Sequence, residues 1–389
     1  MEIKEKIIQI CFIVIFVAVI SIIGILTLMN NETLSVKEGR KLTTFPDITL
    51  ESVMQDNFYT EYTNAFADQL AFRQDLIKWY YLLNLQKYVG DVIKGKDNQL
   101  FLSPLIIENE QRYMTRLANV SKNEMSTVAS EVVENGSKFI FLSVPRKDVL
   151  MESFLPDTYV KGTEAYLKHI GVVKENVSED VQVIDAYEIL KENVEKPYYT
   201  TDHHMNIRGA YEIFKTIVNL VNTDGYDIKL GSLEEEFTVK SQVINGSYNR
   251  KIGQSVSVGA EELTIIYKND NLEYTRKDNG KQTTTQVFGK DNTYASAYMG
   301  GDMAETVITT NNEDAPNILF VGSSYTNILE ALSVCKFKTM VSIDYRDNTT
   351  GKSIADYVKE YDIDYTIFIC AQQTDSLNIS SIKQHLGLK

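Results

Sequence analysis

Asn317-Ile318-Leu319-Phe320-Val321-Gly322-Ser323-Ser324-Tyr325-Thr326-Asn327 carries an apolar run straight into Gly-Ser-Ser, and Ile328, Leu329, Leu332 and Val334 continue at helical spacing. An apolar run without polar alternation is a strand covered on both faces. A strand that feeds a helix directly belongs to an α/β sheet. Ligands bind such sheets beyond the carboxyl ends of the strands. Ser324 is therefore expected to be exposed and close to helix N-terminal N–H groups able to stabilise an oxyanion. A blander reading stands beside it: Ser323 or Ser324 caps the helix.

The same alternation recurs outward from this stretch. A helix near 108–134 precedes the apolar strand Phe139-Ile140-Phe141-Leu142-Ser143-Val144. A helix over 163–177, a strand over 181–185 and a short helix over 186–193 follow. Beyond Ser324 come a strand at 339–344, a helix at 351–361 and a strand at 365–370. The pattern predicts a three-layer α/β fold with a mostly parallel sheet. Residues 222–300 break it. They are polar and strand-like, with turn signals at Asn245-Gly246-Ser247 and Asp278-Asn279-Gly280, and read as a β-rich insertion near the active-site mouth. Residues 49–88 read as amphipathic helix with Phe58, Tyr62, Phe66, Leu70, Phe72, Leu76, Trp79 and Leu83. Asp68 and Arg73 within it read as a structural ion pair rather than a catalytic one.

The chain of 389 residues carries a net charge of -14. That balance, without a basic run, excludes the phosphate-neutralising surface of a nucleic-acid binder. Residues 7–29 are almost wholly apolar and long enough to cross a hydrocarbon core of about 30 Å. No small-x-small cleavage site follows, so the segment reads as a retained single transmembrane anchor rather than a signal peptide. Lys4 and Lys6 precede it, which favours a cytoplasmic tail at residues 1–6 and an extracytoplasmic chain from residue 30. Residues 30–48 read as a stalk and 49–389 as the folded domain. Cys335 and Cys370 lie in apolar segments and read as buried free thiols.

Two of the four histidines sit together in Tyr198-Tyr199-Thr200-Thr201-Asp202-His203-His204-Met205-Asn206. An apolar-periodic helix follows, so this stretch forms the turn that opens it. A histidine beside a carboxylate is the usual general-base arrangement, because the carboxylate fixes the tautomer and stabilises the imidazolium. With Ser324 as nucleophile, Asp202 and His204 complete a possible triad. Asp202 can equally be the helix N-cap, and His203 with His204 can bind a metal. His169 and His385 read as incidental.

These motifs resemble the DHHW family of bacterial envelope proteins and, more broadly, the SGNH (GDSL-like) hydrolases with the alginate O-acetyltransferase group. Asp202-His203-His204 matches the family's Asp-His-His block, and Gly322-Ser323-Ser324-Tyr325 looks like its nucleophile block. Arg40 with Phe45-Pro46, Asp68 to Arg73, Leu100-Phe101, Val144-Pro145-Arg146-Lys147 and Asp344-Tyr345-Arg346 also look like family landmarks. The Asp/His block precedes the serine, which resembles the circularly permuted arrangement of the acetyltransferase group. Met205 replaces the family's tryptophan, which alters the wall beside the histidine, and Ser323 replaces the aspartate before the nucleophile.

The resemblance implies catalysis by Ser324, His204 and Asp202 through an acetyl-enzyme. The Ser324 N–H is one implied oxyanion donor; Gly300 and Gly301 are candidates for a second, and Tyr325 and Arg346 for substrate contact. The implied acceptor is a cell-surface or exported polysaccharide, and the implied acetyl source a multi-spanning membrane acyltransferase. The chemistry needs neither metal nor nucleotide cofactor. A plain acetylesterase is a second reading. A third is a catalytically silent carbohydrate-binding or scaffold component of an export complex, kept open by the two departures. A metal phosphoesterase is disfavoured, because the further aspartate motifs it needs are missing from the sequence.

Overall fold

The computed structural model describes residues 2–35, 40–84, 91–103, 109–269, 271–289, 291–348 and 350–371. Residues 36–39 of the stalk, 85–88 of the helical stretch, the Arg40 side chain and His385 lie outside the described residues. The chain divides into two compact units. One comprises Met1–Val92 with Ser247–Val256, the other Ile93–Gly246 with Ser257–Lys389.

The first unit holds α1 (Glu2–Met29), α2 (Phe58–Gln69) and α3 (Arg73–Asn84). With 28 residues, α1 is about 42 Å long at 1.5 Å per residue and is apolar enough to cross a membrane. The continuous helix expected over 49–88 is broken. Leu70 leaves the helical region (φ -53, ψ 123) and Phe72 takes φ 61, so α2 stops at Gln69 and α3 restarts at Arg73. The fully buried Gln69 ties the stalk to α2. Its Nε2 donates to the carbonyls of Glu32 and Thr43, both at 2.8 Å, and its Oε1 accepts the Glu32 N–H at 3.0 Å. Asp68 accepts the Thr43 N–H at 2.8 Å.

The second unit is built on an eight-stranded sheet. In chain order its elements are α4 (Glu110–Asn119), α5 (Ser126–Glu134), β1 (Lys138–Val144), α6 (Lys147–Leu150), α7 (Thr163–Asn176), β2 (Val181–Asp185) and α8 (Ala186–Asn193). Then follow α9 (Ile207–Thr223), β3 (Phe237–Val243), β4 (Ala260–Tyr267), β5 (Tyr274–Asp278), β6 (Lys281–Gln282) and β7 (Glu305–Thr310). The chain closes with β8 (Ile318–Gly322), α10 (Asn327–Ser333), β9 (Thr339–Asp344), α11 (Ile354–Tyr361) and β10 (Tyr365–Ala371). The strand order is β6-β5-β7-β9-β8-β10-β1-β2. The sheet is mixed rather than mostly parallel. The five strands from β9 to β2 run parallel, but β6, β5 and β7 add an antiparallel edge. That edge arises from part of the 222–300 stretch: β5 and β6 are joined through Asn279-Gly280, both at positive φ, which closes a tight hairpin. β3 and β4 form a separate antiparallel ribbon.

Continuous apolar strands are buried on both faces, as the period of two requires. Ile140, Leu142, Ile318, Phe320, Ile367 and Ile369 join α8, α9 and α10 in one core. Their neighbours Phe139, Phe141, Leu319, Val321 and Phe368 join α5, α7 and α11 in the other. Cys335 and Cys370 are free thiols, and burial pushes both up to about 12.

The N-cap of α9 is Asn206, not Asp202. Its side-chain oxygen accepts the N–H groups of Arg208 (3.1 Å) and Gly209 (3.0 Å), and its Nδ2 donates to the Lys196 carbonyl at 2.6 Å. Replacing Asn206 by Ala removes these bonds, with a longer one from Nδ2 to the Tyr198 carbonyl, and is expected to cost about 1–2 kcal/mol of stability. The lower midpoint in a denaturant titration measures it.

Candidate active site

The site lies at the carboxyl ends of the parallel strands. β8 ends at Gly322, in register with Asp344 of β9. The chain then turns sharply: the Thr326 N–H and hydroxyl both donate to the Ser323 carbonyl at 2.8 Å. The residue at the N-cap position of α10 is Thr326. Ser324 is therefore free of the capping role and sits half-buried in the turn.

Asp202 and His204 approach from the turn before α9 and are nearly fully buried. Asp202 Oδ1 lies 2.7 Å from His204 Nδ1 and accepts the His204 backbone N–H at 3.1 Å. His204 Nε2 lies 2.8 Å from Ser324 Oγ. Three side chains separated by up to 122 positions thus form one hydrogen-bonded row. An Asp–His–Ser row of this kind can deprotonate the serine and hold the imidazolium that results.

The imidazole is also packed on its faces. Tyr294 stacks on it with centroids 3.7 Å apart and an interplanar angle of 2°. Tyr325 lies at 4.9 Å, and its hydroxyl donates to the His203 carbonyl at 2.8 Å. Met205 is fully buried in the core, so tyrosines supply the histidine's wall. Asp202, His203 and His204 have ligand atoms close enough to hold a metal ion. Both ring nitrogens of His204 already face Asp202 and Ser324, so a metal on His204 would break the row.

The turn that bears Asp202 is held from one side by a buried lysine. Lys147 opens α6 just beyond β1, and its Nζ donates to the carbonyls of Tyr199 (2.6 Å) and Thr200 (2.7 Å). Burial lowers its pKa to about 7, against the opposing pull of Glu261 and Asp202. Glu261 takes the other side of the same turn and accepts the Thr200 N–H and hydroxyl at 2.9 Å. Burial raises the Glu261 pKa despite those bonds. Gly246 passes so close that a Cβ there would lie 2.2 Å from the Thr201 carbonyl oxygen.

The other residues singled out from sequence have hydrogen-bond partners of their own. Arg346 is engaged by carboxylates: Nε donates to Asp344 at 2.9 Å and Nη2 to Asp302 at 2.7 Å, which raises its pKa. Asp302 also accepts from Asn327 Nδ2 at 2.8 Å, tying this brace to the first residue of α10. Gly300 and Gly301 form a left-handed turn at φ +73 and +108, and the Gly301 N–H donates to Tyr298 O at 3.3 Å. Sequence reasoning assigns no role to Tyr294, Glu261, Asp302 or Asn327. Lys147 stands out in the sequence only within Val144-Pro145-Arg146-Lys147, and its position just past a strand end is the available signal.

Residues 92–337 match the family described as SGNH hydrolase-like domain, acetyltransferase AlgX. The chain belongs to this family. Among solved structures, Bacillus cereus PatB1 is 19% identical with a TM-score of 0.57, covering 74% of this chain and 97% of that one. PatB1 with a sulfonyl adduct gives 19% and 0.58, covering 76% and 98%. A DHHW family protein from Eubacterium siraeum is 18% identical with a TM-score of 0.57, covering 76% and 94%. At these identities the likeness is one of fold. A comparison with curated protein sequences returns no match. Arg346 lies beyond the matched segment of the AlgX-type domain, whereas Asp202, His204 and Ser324 fall inside it.

The depressed Lys147 pKa carries a pH dependence. Between about 7 and 10.5 the unfolded lysine holds its proton while the folded one has lost it, so unfolding takes up a proton and stability rises with pH. Lys147→Met is expected to lack that rise, as unfolding titrations across this window would show.

Proposed function

We propose that the chain is a membrane-anchored, extracytoplasmic O-acetyltransferase of the SGNH type that acetylates a cell-surface or exported polysaccharide. The observation that carries this reading is the row Asp202–His204–Ser324, with both spacings under 3 Å. Membership of an acetyltransferase family supports the acyl group, and α1 supports the anchor. The order of the Asp/His and serine blocks supports a circularly permuted SGNH arrangement.

In this mechanism Asp202 accepts the Nδ1 proton of His204, which leaves the Nε2 lone pair facing Ser324. Ser324 Oγ attacks the acetyl carbonyl as its proton passes to Nε2. The tetrahedral oxyanion is held by the Ser324 N–H, with the Gly300 turn as candidate second donor. Collapse expels the donor's alkoxide, which takes the proton from His204, and leaves acetyl-Ser324. A sugar hydroxyl then gives its proton to Nε2 and attacks the ester, and Ser324 recovers its proton from the imidazolium. Tyr294, flat on the ring, supports the charged imidazolium through its π face. The acetyl donor is a multi-spanning membrane acyltransferase, and neither metal nor nucleotide enters any step.

Full-length protein is assayed with p-nitrophenyl acetate against Ser324→Ala and His204→Ala. Each variant is expected to lose roughly a thousandfold or more of the release, since residues that act as one unit fail together. Acetyl trapped on Ser324 by mass spectrometry, and its transfer to an added glycan, distinguish transfer from hydrolysis. A sulfonyl fluoride should likewise modify Ser324. Folded variants that release acetate as fast as the wild type would sink the enzymatic reading and favour a silent glycan-binding component.

A further inference from the structure

The first unit carries an apolar stripe with no counterpart in the chemistry above. On α3, Leu76, Trp79, Tyr80 and Leu83 recur at three- and four-residue spacing and share one face. All four are exposed, at 52%, 63%, 47% and 68%, and Phe72, just ahead of the helix, is exposed at 60%. The opposite face is occupied. Gln74, Ile77 and Tyr81 are half-buried there, and the backbone of Lys78 packs against Gly253, where a Cβ would lie 3.0 Å from Lys78 Cα. Gly253 holds φ +64, a conformation that suits glycine.

The start of α3 is fixed to the end of α1. The Ala71 N–H donates to Thr27 Oγ1 at 3.0 Å, and Thr27 Oγ1 donates to the Ile23 carbonyl at 2.7 Å. Asn30 Nδ2 donates to the Gln69 carbonyl at 3.2 Å. The loop that launches α3 thus sits at the last turn of the apolar span, where hydrocarbon gives way to headgroups if α1 crosses a bilayer. Tryptophan and tyrosine are the side chains favoured at that depth, because each joins an apolar ring to a polar tip.

We infer that the Phe72–Leu83 face of α3 is a membrane-interface surface that lies in the boundary layer of the bilayer spanned by α1. The inference rests on the reading of α1 as an anchor. With a net charge of -14, the chain is not expected to adhere to an anionic leaflet by charge. Attachment by this face is apolar and operates on zwitterionic lipid. It holds the first unit down beside the anchor, instead of leaving it to swing on a single helix.

Trp79 is the only tryptophan in the chain, so emission excited at the red edge of the indole band, where tyrosine does not absorb, reports this face alone. Full-length protein is reconstituted into phosphatidylcholine vesicles with unbrominated acyl chains, or with chains brominated near the headgroup or near the bilayer centre. Flotation establishes insertion separately. The expected result is co-flotation, with emission falling by roughly half or more in shallow-brominated lipid and less in deep-brominated lipid, as for an indole at the acyl boundary. Co-flotation with equal emission in all three lipids overturns the inference while leaving the anchor intact. Shielding of Trp79 from both bromine and aqueous acrylamide also overturns it, since the face is then covered by protein. Failure to float overturns the anchor reading, and this inference with it.

Discussion

The buried Lys147 amine donates to two backbone carbonyls of the turn that leads to Asp202. That turn belongs to no named strand; it has the isolated bridge between Tyr198 and Met205, and its Thr200 carbonyl accepts the Leu100 N–H at 2.9 Å. Side chains complete its support. Lys147 pulls on the carbonyls, Glu261 accepts from Thr200, and Gly246 leaves room for the Thr201 carbonyl. Buried polar groups cost free energy unless their hydrogen bonds are satisfied. Removing one member of this arrangement leaves the others buried and unsatisfied, so the turn holds as a set. The spacing between His204 and Ser324 depends on it.

The second support is aromatic. Tyr294 lies flat against His204, and Tyr325 angles in from the neighbouring side with its hydroxyl spent on the His203 carbonyl. The imidazole is thus restrained in rotation by two hydrogen bonds in its plane and by rings outside it. A further layer lies along α10, which follows Ser324. Glu330 of α10 is buried, its pKa pushed up to about 7, and it accepts from the Ser342 hydroxyl of β9 at 2.5 Å. Asp302 and Arg346 close the other side by bridging Asn327 to Asp344. The serine sits in a frame whose polar groups are largely committed to each other.

Much of the central fold was legible because it is physically unambiguous. Phe139 to Val144, Ile318 to Val321 and Ile367 to Cys370 are apolar without alternation, and only a strand with both faces covered needs that. The antiparallel edge was illegible for the complementary reason. In β5, Thr275 and Lys277 face solvent while Arg276 is buried against Asp278 and the Met299 carbonyl, so no apolar signal marks the strand as part of the main sheet. Asp202, His204 and Ser324 were visible as residue types that pair in known chemistry. Tyr294 was not, because its partner lies 90 positions away and a tyrosine amid polar sequence announces nothing. The break at Phe72 was hidden as well. Apolar spacing continues through it, and only the backbone reverses.

The ten residues from Ser247 to Val256 leave the body that contains the serine and pack with the N-terminal helices instead. Tyr248, Ile252 and Val256 are buried there. The folding unit is therefore discontinuous in sequence. An expression fragment cut cleanly after Val92 retains Asp202, His204 and Ser324, yet it strands this excursion with its apolar side chains uncovered. Such a fragment inherits an aggregation-prone loop of its own making. A truncation that removes only the apolar span and keeps α2 and α3 leaves the excursion its helices.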